Sequence, residues 1–257
     1  MATAIFLAFL MVVFLASVGL QLLGHHVGAG WRTHGRAGVP ESTTSIQASL
    51  FALLGLLIAF TISGGETRLE ARRRLIVAEA NAIGTAYLRL DMLPPAAQPQ
   101  LRELFRRYTE SRIAYFSHVS HLDELRGMRA RSAELQDQIW NAAVEAAHDV
   151  PDTRPALLTL PALNAMIDVT TERDAALQTH VPVAMFVLLL VLAFACAFLA
   201  GVEMSKQARP SAFHVLAFSA TLALTCYVII NVEFPRWGFV RMGVFDHLLV
   251  QVRHQMG

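Results

Sequence analysis

The chain has 257 residues, of which 54% are hydrophobic and 16% charged, with a net charge of +1. That proportion leaves more apolar side chains than one water-soluble core of this size takes in, and it excludes a disordered chain. Two cysteines, Cys196 and Cys226, both inside apolar runs, exclude a disulfide scaffold, and the near-neutral charge leaves no footprint for nucleic acid.

Ala4 to Leu23 runs 20 residues without a charge, enough at ~1.5 Å per residue to cross the roughly 30 Å hydrocarbon layer. No Lys or Arg precedes it, and it exceeds the ~7 to 15 apolar residues of a signal core, so it reads as a span rather than a cleaved leader. Ile46 to Ser63 is the second span. Ser63-Gly64-Gly65-Glu66 follows with capping-box spacing, and the glycines predict a helix break at the membrane surface. Beyond it the charges gather: Glu66 to His180 holds 14 of the 21 basic and 16 of the 20 acidic residues.

This polar block reads as helices. Leu69, Ile76, Ala80, Ile83, Tyr87 and Leu90 recur at steps of seven, four and three, a stripe that stops at Pro94-Pro95. A second stripe, Leu101, Leu104, Tyr108, Tyr115, Val119 and Leu122, runs until Gly127. A third, Met128, Leu135, Ile139 and Ala142, ends before Pro151. Pro151 to Pro161 is expected to be a connection, and Asn164 to His180 a fourth helix that enters the third span through Pro182. The third and fourth spans are Val181 to Val202 and Phe213 to Val232. The expected organisation is therefore an all-α membrane protein with four transmembrane helices in two hairpins flanking a helical block. The first hairpin covers residues 1–64, the block 65–180, the second hairpin 181–232 and a C-terminal segment 233–257.

Basic residues near span ends set orientation. Arg68, Arg72, Arg73, Arg74, Arg173, Arg236, Arg241 and Arg253 lie on the side of the polar block, against Arg32, Arg36, Lys206 and Arg209 in the two hairpin loops. Both termini and the block are therefore expected in the cytoplasm.

No enzyme signature is present: Ser63-Gly64-Gly65 is too short for a phosphate loop and no Lys follows it. His25, His26 and His34 lack cysteine or acidic company beyond Glu41 and read as a wet loop rather than a metal site; no cofactor is expected. Asn164 and Asp168, four apart on one helical face, are expected to hydrogen-bond across helices with Glu79 or Asn81, while Arg173 points elsewhere. On the second span Leu53, Leu57 and Phe60 share a face, and Gly55 and Ala59 allow another helix to approach. Such a face serves lipid contact, core packing, or an apolar constriction that gates by dewetting.

Gly55-Leu-Leu-Ile-Ala-Phe-Thr-Ile-Ser63, Arg68-Leu-Glu-Ala-Arg72 and Glu79-Ala-Asn-Ala-Ile-Gly-Thr-Ala-Tyr-Leu-Arg-Leu-Asp91 resemble the bacterial bestrophin-like domain proteins. Leu163-Asn-Ala-Met-Ile-Asp168 with Arg173 and Pro182, and Asn231-Val-Glu-Phe-Pro-Arg-Trp-Gly238 with Val240-Arg241, extend the resemblance over nearly the whole chain. It implies a distant likeness to bestrophins, pentameric and mostly anion-selective channels with paired spans around a cytoplasmic helical block. By that likeness Glu70-Ala71-Arg72 matches the charged helix after the second span, a pore neck falls among Leu53, Leu57 and Phe60, and Arg68, Arg72, Arg73 and Arg74 form a basic vestibule. The implied setting is a homo-oligomer, pentameric by resemblance, multi-pass in a bacterial inner membrane and passing anions. The chain departs from the bestrophin pattern in lacking paired tryptophans before Glu70 and a dense acidic cluster, so calcium gating is not implied. The other reading is a non-conducting membrane scaffold whose helical block docks a protein partner.

Overall fold

Four uncharged runs and three apolar stripes dictate helix, and a computed structural model is helical throughout its regular structure. It describes residues 2–33, 41–117, 122–148, 152–207, 209–234 and 243–257. Among these lie α1 (Ala2–Thr33), α2 (Glu41–Arg89) with a 3-10 turn at Leu90–Met92, α3 (Gln98–Ser117), α4 (Leu122–His148), α5 (Arg154–Gln178), α6 (Val183–Met204), α7 (Ala212–Glu233) and α8 (Gly243–Gln255), and no strand. Four are long and apolar enough to cross a membrane: α1, α2, α6 and α7. The chain divides into two compact units, one of Met1–Leu69 with His180–Val240 and one of Glu70–Thr179 with Arg241–Gly257.

In the first unit α1 lies against both α6 and α7, so the hairpins expected from chain order interlock through α1. Glycine makes this possible. A Cβ on Gly24 would stand 2.1 Å from the Phe198 carbonyl oxygen, and one on Gly201 2.0 Å from that of Gln21, so α1 and α6 touch backbone to backbone. Gln21 Nε2 donates to Ser219 Oγ at 2.9 Å, and Ser219 Oγ donates to Ser17 Oγ at 3.1 Å, a buried polar tie between α1 and α7. The same unit packs Val13, Leu54, Leu189 and Leu222 around the two free, buried cysteines.

The break expected at Gly64-Gly65 does not form: α2 is one helix through both glycines. Gly65 serves packing instead, since its Cβ would sit 3.0 Å from Val232 Cγ1 on α7. Glycine costs a helix only ~1 kcal/mol, less than the packing it allows. Gly127 likewise lies inside α4 rather than at a break. The expected connection Pro151 to Pro161 is largely helix, because α5 starts at Arg154. Pro155 occupies the first turn, where a missing N–H loses nothing, and Pro161 is borne on the exposed face.

The second unit buries the predicted stripes against one another: Ile83 and Leu90 of α2 and its turn, Leu101 and Phe105 of α3, Leu135 and Ile139 of α4, Leu163 and Met166 of α5. Each such side chain contributes ~1.5 to 3 kcal/mol of burial. The segment after residue 233, left undivided by the sequence reading, adds α8 to this core through Leu249, with Met256 beyond it. Tyr87 Oη and Arg106 Nε donate to the Met256 carbonyl at 3.0 and 3.2 Å.

Candidate pore-lining stripe and buried charge network

On the membrane half of α2 the side chains split cleanly. Leu54 is buried, whereas Leu53, Leu56 and Phe60 are 51, 53 and 63% exposed. Leu57 is half-buried and packs against the core of its unit. The exposed stripe thus passes Leu53, Leu56 and Phe60, with Leu57 turned toward the protein. Thr61, one turn beyond Leu57, is buried and returns its hydroxyl to the Leu57 carbonyl at 2.7 Å, leaving no polar group of its own on the stripe.

The four arginines that follow differ in their surroundings. Arg68 donates through Nη2 and Nε to Glu233 Oε2 at 2.8 and 3.1 Å. The other Glu233 oxygen accepts from the Val181 backbone N–H at 3.0 Å and lies 3.2 Å from His180 Nδ1, whose ring stacks on Phe234. Arg72 is buried and donates to the Ala176 and Thr179 carbonyls at 3.2 and 2.8 Å. It therefore caps the C-terminal end of α5, where carbonyl oxygens concentrate negative potential, and is not open to solvent as a vestibule requires. Arg73 is half-buried, 3.9 Å from Glu70, and Arg74 is exposed.

Glu79, one of the four residues expected in an interhelical network, is fully buried, but with other partners. Arg112 Nε donates to Glu79 Oε1 at 2.6 Å and Arg173 Nη1 to Glu79 Oε2. Arg112 Nη2 continues to Asp174 Oδ1 at 3.4 Å, and Arg129 reaches Asp174 Oδ2 at 3.1 Å. Burial works against the charge on Arg112, yet the Glu79 carboxylate beside it holds its pKa above the ordinary value. Next to this pair Tyr108 Oη shares a 2.8 Å hydrogen bond with Thr170 and accepts one from Gln136 at 3.0 Å. Burial pushes the Tyr108 phenol up to about 12.

Asn81, Asn164 and Asp168 are exposed in the chain, and Asn164 donates to Asp168 at 2.8 Å. The expectation that Asp168 packs against the first long helix is thereby corrected: Met166, Val169 and Thr170 face inward, and Asn164 and Asp168 project from the opposite side of α5. Arg173, read as pointing elsewhere, is the α5 residue that meets Glu79. The missed participants had a signal. Arg112 falls between Tyr108 and Tyr115 on an apolar stripe, and Glu79 between Ile76 and Ile83, so each charge sits where only a partner makes burial tolerable.

At the other end of the spans His25 Nε2 lies 3.3 Å from the Gln207 carbonyl and His26 Nδ1 3.0 Å from that of Leu22. His34 is outside the described residues. Among the described residues no three His, Cys, Asp or Glu side chains are grouped to hold a metal ion.

A family model described as the bestrophin-like domain matches residues 10–241. Solved structures of a bacterial bestrophin homologue from Klebsiella pneumoniae share the fold. One variant aligns with a TM-score of 0.70 at 15% identity over 97% of this chain and 98% of that one. A second aligns at 0.71 and 14% over 96% and 97%. A further crystal structure of the homologue aligns at 0.66 and 14% over 95% and 98%. No curated protein matches the chain.

Proposed function

The chain belongs to the bestrophin-like family, and from that premise we propose that copies of it assemble around an axis as an anion channel in a bacterial inner membrane. One observation carries the reading. The second span leaves large apolar side chains, Leu53, Leu56 and Phe60, outside the packing of its own unit. Rings of such side chains around an axis form a constriction that water leaves and ions cannot cross until it widens. The neck lies among Leu53, Leu57 and Phe60, with exposure favouring Leu56 over Leu57 at the middle level. Of the arginines after the second span Arg68 is answered by Glu233, and the exposed charge of Arg74, with Arg73 beside it, draws anions toward the mouth. The excess of arginine on that side supports a cytoplasmic block and cytoplasmic termini. Five copies are taken from the likeness to bestrophins.

The test is electrical. Purified protein in planar bilayers passes chloride more readily than sodium, with reversal potentials that follow the chloride gradient. Phe60→Ala, Leu53→Ala and Leu56→Ala each raise conductance or open fraction, and Leu15→Ala on the first span does not. Silence from folded wild type and from all three variants, across voltage, pH and chloride, overturns the channel and leaves the scaffold reading.

A further inference from the structure

The membrane half of α2 lies on α7, and the contact is apolar for most of its length. Phe51 meets Phe218 edge to face, with ring centroids 5.8 Å apart. Toward the helical block Gly65 lets Val232 approach, since a Cβ there would stand 3.0 Å from Val232 Cγ1. Apolar attraction has no direction, so it holds the helices together without fixing how far α2 turns about its own axis. The hydroxyls of Ser49, Thr61 and Thr67 do not fix it either, because each returns to a carbonyl of α2 itself. Among the described residues, Arg68 with Glu233 is the hydrogen-bonded pair that ties this half of α2 to another helix.

That pair is directional. Arg68 Nη2 and Nε converge on Glu233 Oε2 at 2.8 and 3.1 Å. The carboxylate is itself held through Oε1, by the Val181 N–H at 3.0 Å and by His180 Nδ1 at 3.2 Å. With the Glu233 side chain 1% exposed, water offers its oxygens no substitute. Arg68 continues the buried line of Leu54, Thr61 and Gly65 at steps of seven, four and three, on the side of α2 opposite Leu53, Leu56 and Phe60. A single ionic pair in an apolar seam serves register more than strength.

We infer that Glu233 is the positioning residue of the neck. By holding Arg68, eight residues or ~12 Å from Phe60, it sets the turn of α2 that presents Leu53, Leu56 and Phe60 to the axis. The inference rests on the channel reading and names the residue that keeps its constriction in register. Rotation by one residue, about 100°, puts the half-buried Leu57 where Leu56 stands. Released from Glu233, α2 turns more freely and the apolar ring opens more often.

Planar-bilayer recordings test this with Arg68→Gln, Glu233→Gln and the two together, each in the wild type and in Phe60→Ala. Each single change raises the open fraction about tenfold or more, as loss of a hydrogen bond to a charged group does. The double change raises it no further, and Arg68→Lys, which keeps the cation, stays closer to wild type than either. In Phe60→Ala, where the ring is already wide, none of them adds to the open fraction. Effects that add in the double variant, or that persist undiminished in Phe60→Ala, overturn the inference. A conducting Phe60→Ala beside single variants that behave as wild type overturns the positioning role and spares the channel. Silence from wild type and every variant, each shown to be folded by thermal unfolding, sinks both. Arg68→Gln leaves the Val181 and His180 contacts to Glu233 in place, so it carries the test if Glu233→Gln does not fold.

Discussion

Glu79 and Arg112 meet at 2.6 Å with no accessible side-chain surface on either, and Arg173 closes the other oxygen of the same carboxylate. Two ions removed from water cost several kcal/mol each, which this geometry offsets only while every partner is present. Glu79→Gln therefore removes the carboxylate that two buried guanidinium groups share, and leaves Arg112 only its longer contact to Asp174. It is expected to lower stability by about 3 to 5 kcal/mol, read from thermal unfolding of the detergent-solubilised protein. The quadruple replacement Glu79→Leu, Arg112→Met, Arg173→Met and Asp174→Leu should recover most of the loss, because it leaves no buried charge in the set to desolvate. A single variant as stable as wild type would mean that water reaches this network.

Two glycines inside helices should respond in opposite directions. At Gly201 a methyl group meets the Gln21 carbonyl at 2.0 Å, and both are backbone, so neither helix yields without moving. Gly201→Ala is expected to cost about 1 to 3 kcal/mol or more. At Gly127 nothing stands within 4 Å, and Gly127→Ala should add about 0.5 to 1 kcal/mol by restricting the unfolded chain. Melting temperatures of the two variants decide the matter.

Alkaline stability follows from Tyr108. An unfolded tyrosine ionises near 10, whereas burial holds this one neutral to about 12. Between those values the unfolded state releases a proton that the folded state keeps, so stability is intact below about pH 10 and declines as pH rises toward about 12, by up to about 3 kcal/mol. Tyr108→Phe should flatten that part of the profile. At neutral pH the same variant loses the hydrogen bonds to Thr170 and Gln136, worth about 1 to 3 kcal/mol. An unchanged alkaline limb in the variant would assign the loss to other groups.

Orientation is tested by labelling. In the cysteine-free background, Lys206→Cys, exposed after α6, should react in intact cells with an impermeant thiol reagent, and Ala130→Cys, exposed on α4, should not. The reverse pattern would turn the helical block outward and remove its basic residues from the cytoplasmic mouth.

How far the sequence could be read depended on which physical rule governed each position. Spans and core stripes follow from hydropathy and period, so α1, the membrane half of α2, α6, α7 and the inward faces of α3 and α4 were legible, whereas the inward face of α5 was not. Helix ends were less so. Gly64-Gly65, Gly127 and Pro161 carry weak local preferences for a break, and burial of continuous stripes on either side outweighed them. At the charged sites spacing alone put Asn164 and Asp168 on one face without saying which. The neighbours decide: Met166 and Val169 are apolar and face inward, which leaves Asn164 and Asp168 outside. Arg72 was unreadable as a cap because its acceptors are backbone carbonyls of a helix more than a hundred residues later.

That separation along the chain has a consequence for biosynthesis. Glu79 leaves the ribosome 33 residues ahead of Arg112 and 94 ahead of Arg173, about 5 to 19 s for the second at ordinary elongation rates. Tyr87 waits longer, 169 residues, for the Met256 carbonyl. In that interval α6 and α7 are translated, so the second pair of spans reaches the membrane while the helical block still lacks α8 over Leu101 and Phe105. Membrane insertion therefore precedes completion of the polar core. A nascent chain stalled before α8 would present an open apolar face and an Arg106 without its Met256 acceptor to chaperones, whereas one stalled before Arg173 would also leave one Glu79 oxygen without its guanidinium.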